Sequence, residues 1–303
     1  LEFRRVLFRS NQMVRLAENT ERQQVWDMWK SCFGDPDNYM ELYFRDKYRP
    51  ENTLLYMEGA KAAASLQMLH YCFTFHGAEI PVIYLSGVCT LPAYRRKGYT
   101  RALLIEGFRE AVRREVPLMF LVPQEKWLVE LYAKYGFALT FDAGTRDLPS
   151  LKELVARHPG NMEAAYHEFD RHFRGQDMTV QKTFDDFKTI VEEGALFDFP
   201  VKRNLVGMAR VIDAGQLLSW FASQNKEVSF NIRVRDELLE HNNRAWAVSG
   251  GRAAGEMLPG VPDMHVDIGD LARLLLGYHT ATEKAPYPGL FPEKTPAMHF
   301  MLE

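Results

Sequence analysis

The chain has 303 residues, with 37 Lys and Arg against 40 Asp and Glu and a formal charge of −3. Its length points to two domains, and its charge balance excludes the basic footprint needed to wrap nucleic acid. Cys32, Cys72 and Cys89 are odd in number and far apart, which suits reduced thiols in a cytoplasmic protein and supplies neither a disulfide framework nor a zinc set. No stretch approaches the roughly 20 apolar residues of a membrane span, so no membrane partner is expected. Leu1 to Ser10 carries Arg4, Arg5 and Arg9 without the apolar region or cleavage site of a secretory signal. Residues 1–10 resemble adapter-derived sequence joined to a chain that starts near Met13, and are expected to be a non-native segment outside the fold.

Thr20 is the expected cap of a helix from Arg22 to Phe33, with Val25, Met28, Trp29 and Cys32 at helical spacing and Gly34-Asp35-Pro36 ending it. A second helix is predicted from Asn38 to Tyr48. Three strand-like runs follow, Thr53 to Met57, Ala62 to Phe75 and Ile80 to Cys89, separated by Glu58-Gly59 and His76-Gly77, which reads as an antiparallel meander. After Leu91-Pro92 a helix is expected from Tyr99 to Arg114 with Leu104, Phe108, Ala111 and Val112 on its apolar face. Leu118 to Val122 reads as a strand buried on both sides, Trp127 to Tyr135 as a short helix and Phe137 to Phe141 as a strand. This gives one mixed α/β domain over residues 11–148.

Residues 149–200 are charged and mostly helical in pattern. Residues 201–303 form the second unit, which reads as α+β. Its predicted strands are Met208 to Val211, Val228 to Val234, Ala245 to Val248 and Met264 to Ile268. Asp213 caps one helix, Asp270 caps another from Leu271 to Leu276, and Met298 to Leu302 is a final strand approached through a loop rich in proline.

The chemistry concentrates at Arg95-Arg96-Lys97-Gly98-Tyr99-Thr100-Arg101. A helix start offers unpaired N–H groups and partial positive charge, a glycine lets the backbone approach a ligand, and flanking cations suit a pyrophosphate. Alone such a run is an ordinary basic surface turn. Between a strand and an amphipathic helix it is a positioned anion site. With Val88-Cys89-Thr90 and Pro92 before it, this segment resembles the acetyl-CoA site of the GCN5-related N-acetyltransferase (GNAT) superfamily, with Thr100 where that family usually has Gly or Ala. The resemblance implies a mixed, mostly antiparallel sheet flanked by helices. It implies that main-chain groups of Val88, Cys89 and Thr90 hold the pantetheine arm, and that Arg95, Arg96, Lys97, Gly98, Tyr99, Thr100 and Arg101 cradle the phosphates.

Tyr132-Ala133-Lys134-Tyr135-Gly136-Phe137 resembles the family's Y-x-x-[YF]-G-[FY] segment, which implies that Tyr132 protonates the departing thiolate. A purely structural phenol is the alternative. The C-terminal half resembles the sterol-carrier-protein-like domain of the Eis (enhanced intracellular survival) acetyltransferases. There the C-terminal carboxylate acts as base, a role that would fall to Glu303. Residues 149–200 would then be a shortened remnant of a second GNAT-like domain. The implied function is acetyl transfer from acetyl-CoA to a primary amine of a small molecule or peptide, without a metal and with room for a homo-oligomer. The alternative is a non-catalytic acyl-CoA or apolar-ligand sensor. Cys89 reads as a buried strand residue rather than a nucleophile, His70, His76 and His279 lack metal-ligand spacing, and Trp26, Trp29, Tyr43 and Phe44 either line an acceptor cleft or pack the core.

Overall fold

The computed structural model describes residues 13–255, 262–282 and 287–302. In chain order its elements are β1 (Val14–Leu16), α1 (Arg22–Phe33), α2 (Asp37–Asp46), β2 (Thr53–Glu58), β3 (Lys61–Phe75), β4 (Ala78–Thr90), α3 (Tyr99–Arg113), β5 (Leu118–Leu121), α4 (Lys126–Ala133) and β6 (Ala138–Phe141). They continue with α5 (Leu151–Arg157), α6 (Met162–Phe173), β7 (Thr179–Gln181), α7 (Phe184–Leu196), β8 (Gly207–Val211), α8 (Ala214–Gln224) and β9 (Phe230–Arg235). The last are β10 (Ala245–Ser249), β11 (Arg252–Gly255), β12 (Met264–Asp267), α9 (Ile268–Leu275) and α10 (Tyr287–Leu290).

The predicted meander forms as β2, β3 and β4, antiparallel throughout. His76 and Gly77, at φ 48° and 81°, make the left-handed two-residue turn whose twist matches the flanking strands. The sheet runs β1-β2-β3-β4-β5-β8-β6, with β7 added to the far end of β3. Among the strands of the described residues in this sheet, β4 and β5 are the parallel pair. The strand β8, assigned from sequence to the C-terminal unit, lies between β5 and β6. The first sheet is therefore completed by residues beyond 201, because every residue of β8 is buried and needs ladder partners on both edges.

A second sheet, β11-β10-β9-β12, carries α8 and α9 on its inner side. Residues from the two sheets, α1, α2, α8 and α9 form one apolar cluster, so the two units share a core. A second cluster lies between the opposite face of the first sheet and α3, and a third joins α5, α6 and α7 with Phe300.

Local chemistry departs from expectation in four places. Thr20 lies in a 3-10 turn, and the cap there is a reciprocal box between Glu18 and Glu21. Asp270 sits in the first turn of α9, which starts after Asp267. Val112 is 43% exposed, whereas Leu103 is buried on the α3 face. Met298 to Leu302 is not a strand. It is a buried tail fixed by Leu205 N–H donating to Met298 O (3.0 Å) and, just before it, Ala297 N–H donating to Met178 O (2.8 Å). No helix among the described residues is long and apolar enough to cross a membrane.

Candidate functional site

Gln67 of β3 faces Ser86 of β4, but Ser65 faces Cys89, so β4 holds one extra residue here, a β-bulge. The bulge contains Gly87 at φ 58°. A Cβ at this position would lie 2.5 Å from Trp29 Cζ3, so only glycine fits. The bulge sharpens the local twist, and β4 pairs with β5 only at Ile83–Met119 and Tyr84–Phe120. From Leu85 to Thr90 that edge of β4 faces no strand among the described residues. Backbone groups on an edge that no described strand pairs suit an extended, amide-bearing ligand such as a pantetheine arm.

The open edge ends at the basic turn. Gly98, at φ 82°, is the N-cap of the 15-residue helix α3 and supplies no capping side chain. A Cβ there would meet nothing within 4 Å, so glycine is required by backbone conformation alone. The first N–H groups of α3 are left to solvent or an anion. Arg95, Arg96, Lys97 and Arg101 are exposed, and no carboxylate among the described residues pairs with them. Arg95 Nε donates to Thr90 O at 3.3 Å, and the hydroxyls of Thr90 and Thr100 lie 3.2 Å apart, joining strand end to helix start. Tyr99 turns inward, stacking on Tyr56 at 3.8 Å and donating to Glu58. Only its main chain remains for a phosphate.

Tyr132 lies in the last turn of α4, 7% exposed, with its ring 5.8 Å from that of Phe137. Burial pushes its phenol up to about 12, so the hydroxyl keeps its proton across the neutral range. It shares an apolar cluster with Leu85, Leu103 and Leu121, against which Val88 packs. The strand edge, the start of α3 and Tyr132 thus lie on one face of the sheet. Glu303 falls outside the described residues. Leu302 before it is 1% exposed and belongs to the cluster on the other face, with Trp29, Tyr43 and Tyr84.

On that other face, the Trp29 and Tyr43 rings lie 4.5 Å apart and those of Trp26 and Phe44 5.0 Å apart. They form a packed layer over the bulge. Tyr43 Oη sits 3.2 Å from Gln67 Oε1 and 3.0 Å from Ser86 Oγ, leaving buried Gln67 Nε2 without a partner. Cys89 is buried, with Sγ 3.3 Å from Ser65 Oγ. Its neighbour Cys32 and burial push its thiol well up, which disfavours a nucleophilic thiolate. Cys32 itself is held down at about 7 by its hydrogen bond from Cys89 and by Arg95. His76 Nε2 lies 2.8 Å from Leu275 O, His279 pairs with Asp142, and His70 lies against Arg114. Among the described residues no group of three or more His, Cys, Asp or Glu is placed to hold a metal ion.

Two features escaped the sequence reading. Gly87 interrupts a β-branched and aromatic run, a sign of a bulge that was there to be read. The buried pair Arg210–Asp236, which bears on the Tyr135-Gly136 turn, left no sequence signal because its partners are 26 residues apart, one in β8 of the first sheet and one just beyond the end of β9.

Residues 13–140 match the family described as acetyltransferase (GNAT) domain, and residues 213–288 match the sterol carrier protein domain. Among curated proteins no sequence matches the chain. Among solved structures, Eis1 from Mycobacterium abscessus is similar over 95% of this chain and 99% of its own, at 14% identity and a TM-score of 0.64. A GCN5-related N-acetyltransferase from Kribbella flavida is similar over 93% and 97%, at 14% identity and a TM-score of 0.66. One from Anabaena variabilis is similar over 93% of both chains, at 14% identity and a TM-score of 0.65. At such identity the likeness is one of fold, and it spans both sheets.

Proposed function

We propose that this chain, an acetyl-CoA-dependent N-acetyltransferase of GNAT type joined to a sterol carrier protein domain, transfers the acetyl group directly to a primary amine of a small molecule or peptide. The observation that carries the reading is the unpaired edge of β4 from Leu85 to Thr90, leading to the uncapped, cation-flanked start of α3 with Tyr132 on the same face. Main-chain groups of Val88, Cys89 and Thr90 bind the pantetheine arm. The N–H groups that follow Gly98 hold the pyrophosphate, and Arg95, Arg96, Lys97 and Arg101 balance its charge.

In this reading the amine nitrogen attacks the thioester carbonyl carbon, the C–S bond breaks, and the sulfur takes the proton of the Tyr132 hydroxyl. The amine's surplus proton leaves to solvent or a carboxylate, and a proton from solvent restores the Tyr132 hydroxyl, so the cycle closes without net change in protons. A phenol held neutral by burial is poised as donor, since a group already ionised has nothing to give. Acetyl-CoA-dependent thiol release should be measured with spermidine, kanamycin and an alanyl peptide as acceptors. Tyr132→Phe should lower kcat by about 10²-fold or more at little change in KM for acetyl-CoA. Unchanged turnover in that variant would remove Tyr132 from the reaction.

A further inference from the structure

Arg210 is a fully buried arginine in the middle of β8, and its guanidinium has 0% side-chain exposure. Two of its nitrogens face different units of the molecule. The NH2 group donates to both carboxylate oxygens of Asp236, at 2.8 Å each, just beyond β9 of the second sheet. The Nε donates to Tyr135 O at 2.8 Å, in the turn that follows Tyr132. NH1 donates to Val211 O, and the guanidinium carbon lies 5.1 Å over the Phe108 ring.

That turn is also held by Gly136 N–H donating to Ala133 O (3.0 Å) and by Tyr132 itself. The Tyr132 carbonyl accepts from Tyr135 N–H (2.9 Å) and Phe137 N–H (3.3 Å). Gly136 stands at φ 79°, and a Cβ there would lie 2.8 Å from Arg210 Nε and 2.7 Å from Ile268 Cγ2 of α9. Asp236 is fixed in turn by Asn242 Nδ2 (2.9 Å) and by the N–H groups of Leu238 (3.0 Å) and Leu239 (3.2 Å). A chain of hydrogen bonds therefore runs from the sterol-carrier unit through one arginine to the backbone of the turn that anchors Tyr132.

We propose that Arg210, seated by Asp236, is a positioning residue that fixes the Tyr132 hydroxyl relative to the sulfur. The C-terminal unit thereby sets the rate of transfer at the N-terminal site. This rests on the role given to Tyr132 above. With NH2 held by both oxygens of Asp236 and NH1 by Val211 O, the direction of the remaining Nε donor is fixed, and a proton donor misplaced by about 1 Å loses up to about 10²-fold in rate.

The test compares wild type, Arg210→Lys, Arg210→Met and the double variant Arg210→Met with Asp236→Leu. The double variant replaces the pair by apolar groups and guards against misfolding from a lone buried charge. Steady-state turnover of the acceptor that wild type acetylates, and amide hydrogen exchange over 132–137, are read on each. The expected result is a loss of about 10- to 100-fold in kcat with KM for acetyl-CoA within about twofold. Exchange should quicken at Tyr135 and Phe137 while β3 and β4 stay protected, and Lys should not rescue. If Tyr132→Phe lowers kcat but the folded double variant turns over like wild type with unaltered exchange, the positioning role is overturned and the role of Tyr132 stands. If Tyr132→Phe is silent, the reading beneath this one fails instead. If wild type acetylates no acceptor, unchanged exchange in the double variant alone overturns the clamp.

Discussion

Replacing Lys182 by Met should stabilise the protein at neutral pH and do so less as the pH rises. Lys182 is 2% exposed, and its ammonium lies 5.0 Å over the Tyr71 ring with Met301 Sδ, at 3.2 Å, as its hydrogen-bond partner. Asp186, whose charge acts on the amine, is already paired with Lys47 and with Thr183. Burial, helped by the Lys47 charge and only partly offset by Asp186, lowers the Lys182 amine from 10.5 to about 7. Above pH 10.5 the amine is neutral in both states and the two proteins should be alike in this respect. As the pH falls toward 7 the unfolded chain takes up a proton that the native state refuses, and native stability is lost at about 1.4 kcal/mol per pH unit. Below 7 the loss is complete, on the order of 5 kcal/mol. Urea denaturation of wild type and Lys182→Met at pH 7 and pH 9.5 gives the difference directly, because other titrating groups cancel between the two proteins. The advantage of the variant should shrink by about 3 kcal/mol between these pH values. An advantage independent of pH would refute the burial that lowers the Lys182 amine and, with it, the described seat of the tail at Met301.

Gly87→Ala should be destabilised by about 2 kcal/mol or more, from left-handed backbone strain and overlap with Trp29, and bind CoA weakly by calorimetry. Wild-type affinity in that variant would show that the bulge does not shape the β4 edge. Cys32 should alkylate with iodoacetamide at a rate that rises through pH 7, Cys89 should stay protected, and saturating CoA should slow Cys32 because it neighbours Arg95 and Thr90. A Cys32 that reacts only near pH 9 would mean that the contact with Cys89 and Arg95 does not hold the thiol down.

The pieces legible from sequence were those whose cause is local. Gly34, at φ 72° and donating its N–H to Lys30 O at the end of α1, the left-handed Gly98 before α3, and the fully buried apolar run of β5 each follow from the residue and its immediate neighbours. The same holds for the alternating burial of β9. Segments whose state depends on distant partners were not legible. Met298 to Leu302 has the composition of a strand, but its neighbours are Leu205, Met178 and α6, which offer isolated bonds and no ladder edge. The run from Gly207 to Val211 was readable as a strand but not as a member of the first sheet.

Sequence alone determined where the strand, turn and helix of the proposed donor site fall, because glycine conformation, apolar period and charge act over a few residues. Only the tertiary structure decided that β4 parts from β5 after Tyr84, and that β8 closes the first sheet. It also decided that Arg210 ties the Tyr132 turn to Asp236. Each of these depends on which backbone groups and buried charges meet across the fold, and the need to pair them when water is excluded selects partners that chain order does not reveal.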